Sequence, residues 1–190
     1  MSDLPASLVA AILQRAKKLG QQEYALTYVL FGAGLSAKEI INLDRSHRTS
    51  DSQQQLLQVT QGLVRQVPVN QWIAGKRYGS YTNNPLTQWL KSRKDSGSAL
   101  FVDRTGKRLS EIELEQLWQK LTAGLLTLEG EAIAIEQTQQ TWCVEMLMRG
   151  MNLEDMRILT GWDAAKLLPY ARRAREKTAL EQAIRLDRKS

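Results

Sequence analysis

Two Ser-x-x-Glu signals constrain this chain most: Ser36 with Glu39, and Ser110 with Glu113. In such a pair the serine oxygen takes a backbone N–H of the first helical turn while the glutamate reaches back to the serine's own N–H, so each marks a helix start. Helical periods surround both. Leu4, Leu8, Ile12 and Leu19, with Gln14, Arg15, Lys17 and Lys18 between them, predict an amphipathic helix ended by Gly20. A more apolar helix is expected over residues 23–31, closed by Gly32 and Gly34, and the first Ser-x-x-Glu pair then opens a short one. The second pair opens a helix to about Leu126. Further helices are expected over residues 136–149, stopped by Gly150, over 153–159, stopped by Gly161, and over 170–187.

The middle of the chain breaks this rhythm. Residues 54–60 and 63–69 are short Leu- and Val-rich runs joined by Gln61-Gly62, the pattern of a β-hairpin. Pro68 places the second strand near an edge or marks its end, because proline cannot donate to a ladder. Residues 76–83 form a polar loop with Lys76, Arg77, Tyr78 and Tyr81, a mixture of cations and aromatics suited either to nucleic acid or to plain solvent exposure. Asn84-Pro85 opens a helix to about Lys94, residues 95–98 make a turn, and residues 99–102 are expected as a third short strand. The fold class is therefore mainly α with a small antiparallel β-sheet (α+β), as one domain over residues 1–190.

Composition narrows the function. No apolar run is long enough to span a bilayer, residues 1–10 lack a basic leader, and Cys143 is the only cysteine, which together point to a reducing, cytoplasmic setting. His47 is the only histidine, and the carboxylates do not cluster at ligand spacing, so neither a metal site nor a cofactor is expected. The net charge of +6 and pI of about 9.5 favour polyanions. Part of that charge is concentrated at the end of the chain, in Arg172, Arg173, Arg175, Lys177, Arg185, Arg188 and Lys189.

Four segments, in order, resemble the catalytic domain of the tyrosine recombinases of the phage integrase family. Phe31-Gly-Ala-Gly-Leu-Ser-Ala-Lys-Glu-Ile-Ile-Asn-Leu43 is similar to that family's Thr-Gly-Leu-Arg-x-x-Glu-Leu-x-x-Leu segment. Gly62-Leu-Val-Arg-Gln-Val-Pro-Val69 resembles its Lys-x-x-Arg-x-Val-Pro hairpin, and Leu100-Phe-Val-Asp-Arg-Thr-Gly-Lys-Arg-Leu-Ser110 its Leu-Phe, Gly, Leu-Ser pattern. Gln140-Thr-Trp-Cys143, Arg149-Gly-Met-Asn-Leu153, Thr160-Gly-Trp162 and Tyr170 follow the spacing of its C-terminal box. The resemblance implies a fold that breaks and rejoins DNA. A tyrosine hydroxyl attacks a phosphodiester and forms a 3′-phosphotyrosine link, two arginines hold the non-bridging oxygens, and a hairpin lysine protonates the leaving 5′-oxygen.

On these positions the charged groups are missing. Tyr170 stands at the nucleophile position and Trp162 at a His/Trp position, but the first arginine falls on Ser36, the lysine on or near Leu63, and the His-x-x-Arg pair on Glu136 and Gln139. Loss of one transition-state donor costs roughly 10²–10³ in rate, and a free tyrosine with a pKa of about 10 is a poor nucleophile. The expectation is therefore a DNA-binding relative without strand cleavage: accessory, regulatory, or the remnant of a mobile element. Two alternatives stand beside it. One is a divergent active recombinase using Tyr170, with Arg65, Arg149, Arg157 or a partner's arginine in the pocket. The other is a protein-interaction module on a reused fold. The implied partner is duplex DNA, with Arg65, Lys76, Arg77, Arg157, Arg172 and Arg173 as candidate contacts. The basic C-terminal helix either lies on its own domain or docks on a second copy, as in many relatives, giving a homo-oligomer. The N-terminal helical domain with which working recombinases clamp the far side of the duplex has no counterpart in the segments matched.

Overall fold

The computed structural model describes residues 3–73 and 81–189. Helix α1 is Ala6–Leu19 and α2 is Gln21–Ala33. Short α3, Ala37–Ile41, follows, then a three-residue 3₁₀ turn, Arg45–His47. Three strands come next, β1 (Arg48–Ser50), β2 (Gln55–Val59) and β3 (Arg65–Pro68). The chain then forms α4 (Pro85–Ser92), α5 (Glu111–Thr122), α6 (Glu136–Met148), α7 (Leu153–Thr160) and α8 (Ala164–Asp187).

Helix α2 explains the layering. Residues 25–33 are all buried, so beyond its first turn this helix has no solvent face and must be covered on every side. Helices α1, α4 and α6 and strand β3 pack around it. Its C-terminus turns at Gly34, whose φ of 64° is left-handed, and both Ser-x-x-Glu capping boxes form as the sequence indicates. The sheet is antiparallel in the order β1-β2-β3, with Leu57 opposite Val67 and Pro68 on the edge strand. Gln55, Leu57 and Val59 alternate inward on β2, as do Arg65 and Val67 on β3. A smaller apolar cluster of Trp142, Cys143, Met146, Met156 and Leu167 joins α6, α7 and α8.

Four expectations need correction. The third strand is Arg48–Ser50, a polar segment with no apolar alternation to betray it, whereas residues 99–102 make only isolated bridges, Asp44 to Ala99 and Val102 to Arg108. Helix α5 ends at Thr122 and not near Leu126, because Leu125 turns back to bond the Thr122 carbonyl. Helix α8 begins at Ala164 instead of Tyr170, because the Asp163 carboxylate caps it by accepting the Lys166 N–H at 2.8 Å. Pro169 then lies inside the helix, past the first turn whose N–H groups need no helical partner. On α1, Leu19 is exposed, and the buried stripe is Val9, Ile12 and Ala16. Lys76, Arg77 and Tyr78 lie outside the described residues. No described helix is long and apolar enough to cross a membrane.

Candidate functional site

Three of the four positions on which the resemblance places the family's charged groups come together. Ser36, Glu136 and Gln139 line one groove of about 700 Å³ between the start of α3, the α5 face and the start of α6. Its charged lining is Lys38 against Glu111, Glu115 and Glu136, so the groove is acidic. The sequence reading did not anticipate Glu111 and Glu115. They sit on the outward side of an ordinary capped helix, and only the packing of α5 beside α3 turns them to this groove.

Each replaced residue has a structural task. The Ser36 hydroxyl accepts the Glu39 N–H at 3.2 Å, and the Ser36 N–H donates to the Glu39 carboxylate at 3.0 Å. Gln139 Nε2 donates to the Gly34 carbonyl at 2.9 Å, tying α6 to the turn that ends α2. Glu136 is the first residue of α6, where its charge suits the helix dipole.

Tyr170 and Trp162 do not line this groove. Their rings pack 5.8 Å apart, with Lys166 Nζ 4.0 Å over the indole. Burial pushes the Tyr170 hydroxyl above its usual range, and Cys143 adds to the effect. The thiol of Cys143 is itself pushed up to about 12 by burial, so it is an inert core group. Neither influence on Tyr170 helps ionise it. Leu63 is exposed at the hairpin turn and rests against Gly161, next to Trp162.

The arginines are engaged elsewhere. Arg65 is buried. It ion-pairs with Glu39 at 2.7 Å and donates to the carbonyls of Leu159 at 2.6 Å and Leu63 at 3.0 Å. Arg149 pairs with Glu145, Arg157 with Glu154, and Arg173 with Asp3 and Glu176. None of these arginines lines the groove, and no hydrogen bond reaches the Tyr170 hydroxyl among the described residues. Arg172 is exposed on α8.

Arg173 belongs to a clasp that fixes the tyrosine-bearing helix. The Asp3 carboxylate is buried between Arg173 Nε at 2.8 Å and Lys177 Nζ at 2.7 Å, and the next residue's N–H donates to Thr141 Oγ1 on α6. Burial alone would raise the pKa of Asp3, but the two cations outweigh it and hold the carboxyl below its ordinary 3.8. A carboxylate depressed in the folded state stabilises the fold above its unfolded pKa, and that stabilisation is lost as pH falls through the folded value. Asp3→Asn is therefore expected to lose about 1–3 kcal/mol at neutral pH, a loss that shrinks as pH falls below 3.8, read from urea melts across pH. A difference between wild type and variant that does not shrink from pH 7 to the most acid pH at which both stay folded would contradict the clasp.

Comparison with known proteins agrees with this architecture. No curated protein matches the sequence. Among solved structures, XerA recombinase superposes with a TM-score of 0.73 at 18% identity, over 96% of this chain and 63% of that one. XerH recombinase bound to a palindromic difH substrate, in a post-cleavage complex, gives 0.69 at 14% identity over 96% and 52%. The Tn1549 transposon integrase in complex with transposon right-end DNA gives 0.65 at 20% identity over 97% and 66%. This chain thus spans between half and two thirds of the length of these relatives. The model of the phage integrase family matches residues 3–173. The chain belongs to the phage integrase family.

Proposed function

We propose that this protein binds duplex DNA as a member of the family that no longer cuts it. The observation that carries the reading is the groove formed by Ser36, Glu136 and Gln139, which gathers three former catalytic positions and presents carboxylates in place of guanidinium groups. A phosphodiester there would meet net negative charge and no bidentate donor. Tyr170, packed on Trp162 and raised in pKa, has no base or cation bonded to it among the described residues. DNA binding is supported by family membership and by relatives whose structures hold DNA. The exposed Leu180 and Ile184, one turn apart on α8, support contact with a second copy through that helix.

A nicked suicide duplex that traps 3′-phosphotyrosine tests the chemistry. The expected result is no covalent adduct above the level given by Tyr170→Phe, with the same duplex retained non-covalently by both proteins. An adduct present in the wild type and absent in Tyr170→Phe would restore the recombinase reading.

A further inference from the structure

The net charge of the chain conceals a segregation. Residues 44–108 carry eleven Lys and Arg against four Asp, whereas residues 109–163 carry three against ten Asp and Glu. The second segment supplies α5 and α6, the acidic walls of the groove. The first places its cations elsewhere.

Contacts between residues 44–45 and 93–108 bring together the segments that carry seven of those cations, as a strip. Arg45, at the 3₁₀ turn, donates its backbone N–H to the Ser98 carbonyl and pairs with Asp95 at 2.9 Å. Arg93, at the end of α4, pairs with the same carboxylate at 2.7 Å. The hydrogen bond from Arg93 holds Asp95 well below the usual carboxylate range, and two guanidinium groups on one carboxylate leave a surplus positive charge. Arg108 joins from the other side, bonding the carbonyls of Ile41 and Leu43 and the Asp44 carboxylate. On this scaffold Lys91, Lys94, Arg104 and Lys107 are exposed, and the first three make no ion pair among the described residues. None of these residues lines the acidic groove.

We propose that duplex DNA lies across this strip, with Lys91, Lys94, Arg104 and Lys107 on its phosphates, and not against the groove. This rests on the DNA-binding reading above. Exposed lysines and arginines spread over a surface neutralise a phosphate backbone without reading bases. The strip offers no exposed aromatic platform on which single-stranded bases would stack, because Trp89 is covered by Arg93, which favours a duplex over single strands. Arg93 and Arg108 are bonded to main-chain carbonyls, so the backbone beneath the four exposed cations needs no ordering on binding, and only their side chains lose rotamer freedom.

The test uses the whole chain and a fluorescent 30-base-pair duplex titrated across a sodium chloride series. The variants are Lys91→Glu/Lys94→Glu/Arg104→Glu/Lys107→Glu, the groove variant Lys38→Glu, and Arg172→Glu on α8. The strip variant is expected to lose more than tenfold in affinity near 0.1 M salt and to lower the salt slope by about three to four, as for that many released counterions. Lys38→Glu and Arg172→Glu should each change affinity less than threefold. On the wild type, DNA should also protect Lys91, Lys94 and Lys107 from acetylation read by mass spectrometry, an assay independent of how the variant folds. Unprotected lysines, with affinity lost in Lys38→Glu or Arg172→Glu instead, would overturn the strip and leave DNA binding standing. No binding of the wild type at low salt would overturn both. Tighter binding of RNA or polyglutamate than of the duplex at equal salt would reassign the surface to another polyanion.

Discussion

Arg65→Met is expected to destabilise the protein by about 3–5 kcal/mol and to leave its affinity for DNA within about twofold, measured well below the melting temperature. The reason is the position of the guanidinium. It is buried, and it joins the start of α3 through Glu39, the end of α7 through the Leu159 carbonyl, and its own hairpin through the Leu63 carbonyl. Methionine replaces the aliphatic stem but strands the Glu39 carboxylate and two carbonyls without their donor. The double variant Arg65→Met/Glu39→Gln should be less damaged than the sum of the single changes, because it removes the orphaned charge. Chemical denaturation supplies the stability and duplex titration the affinity. A variant that keeps its stability while DNA binding falls tenfold would show that the guanidinium serves phosphate.

That network also shows why part of the site was legible in sequence and part was not. The turn at Gly34, the capping boxes, the hairpin and the late tyrosine each have a local signature, so the fold followed from adjacent residues. Arg65 has no such signature. Its partners are Glu39 and Leu159, 26 and 94 positions away, and a lone arginine on a strand reads equally well as a phosphate contact or a salt bridge. The same holds for Arg173, whose partner Asp3 lies 170 residues earlier. Arg48–Ser50 has no sequence signature because a polar edge strand carries no alternation, and the negative charge expected at Glu136 is joined by Glu111 and Glu115, which come from a helix that looks unremarkable alone. The resemblance located the positions. Only the packing gives the contacts of the residues there: Ser36 as a cap, Gln139 as a tie to Gly34, and Glu136 at a helix start.

Gly34→Ala is the sharper test of that last point. Gly34 adopts a left-handed φ of 64°, and a Cβ built there would stand 2.2 Å from the Trp142 ring. The backbone term costs about 1–2 kcal/mol for an L-residue. The clash adds about 1–3 kcal/mol, because Trp142 is buried among Cys143, Met146 and Leu167 and cannot retreat without moving them. The expected loss is therefore about 2–5 kcal/mol, or roughly 5–20 °C in Tm for a domain of this size. Gly62→Ala separates the two contributions. Gly62 has nearly the same φ, 66°, but nothing lies within 4 Å of its added Cβ, so only the backbone term of about 1–2 kcal/mol should appear. Equal losses in the two variants would mean that Trp142 gives way freely. A larger loss at Gly34, with the near-ultraviolet signal of the tryptophans altered, would mean that the Gly34 turn is held by packing against α6. A turn held in that way does not depend on which side chain stands at Ser36, two residues on, so packing alone can keep the segment in place.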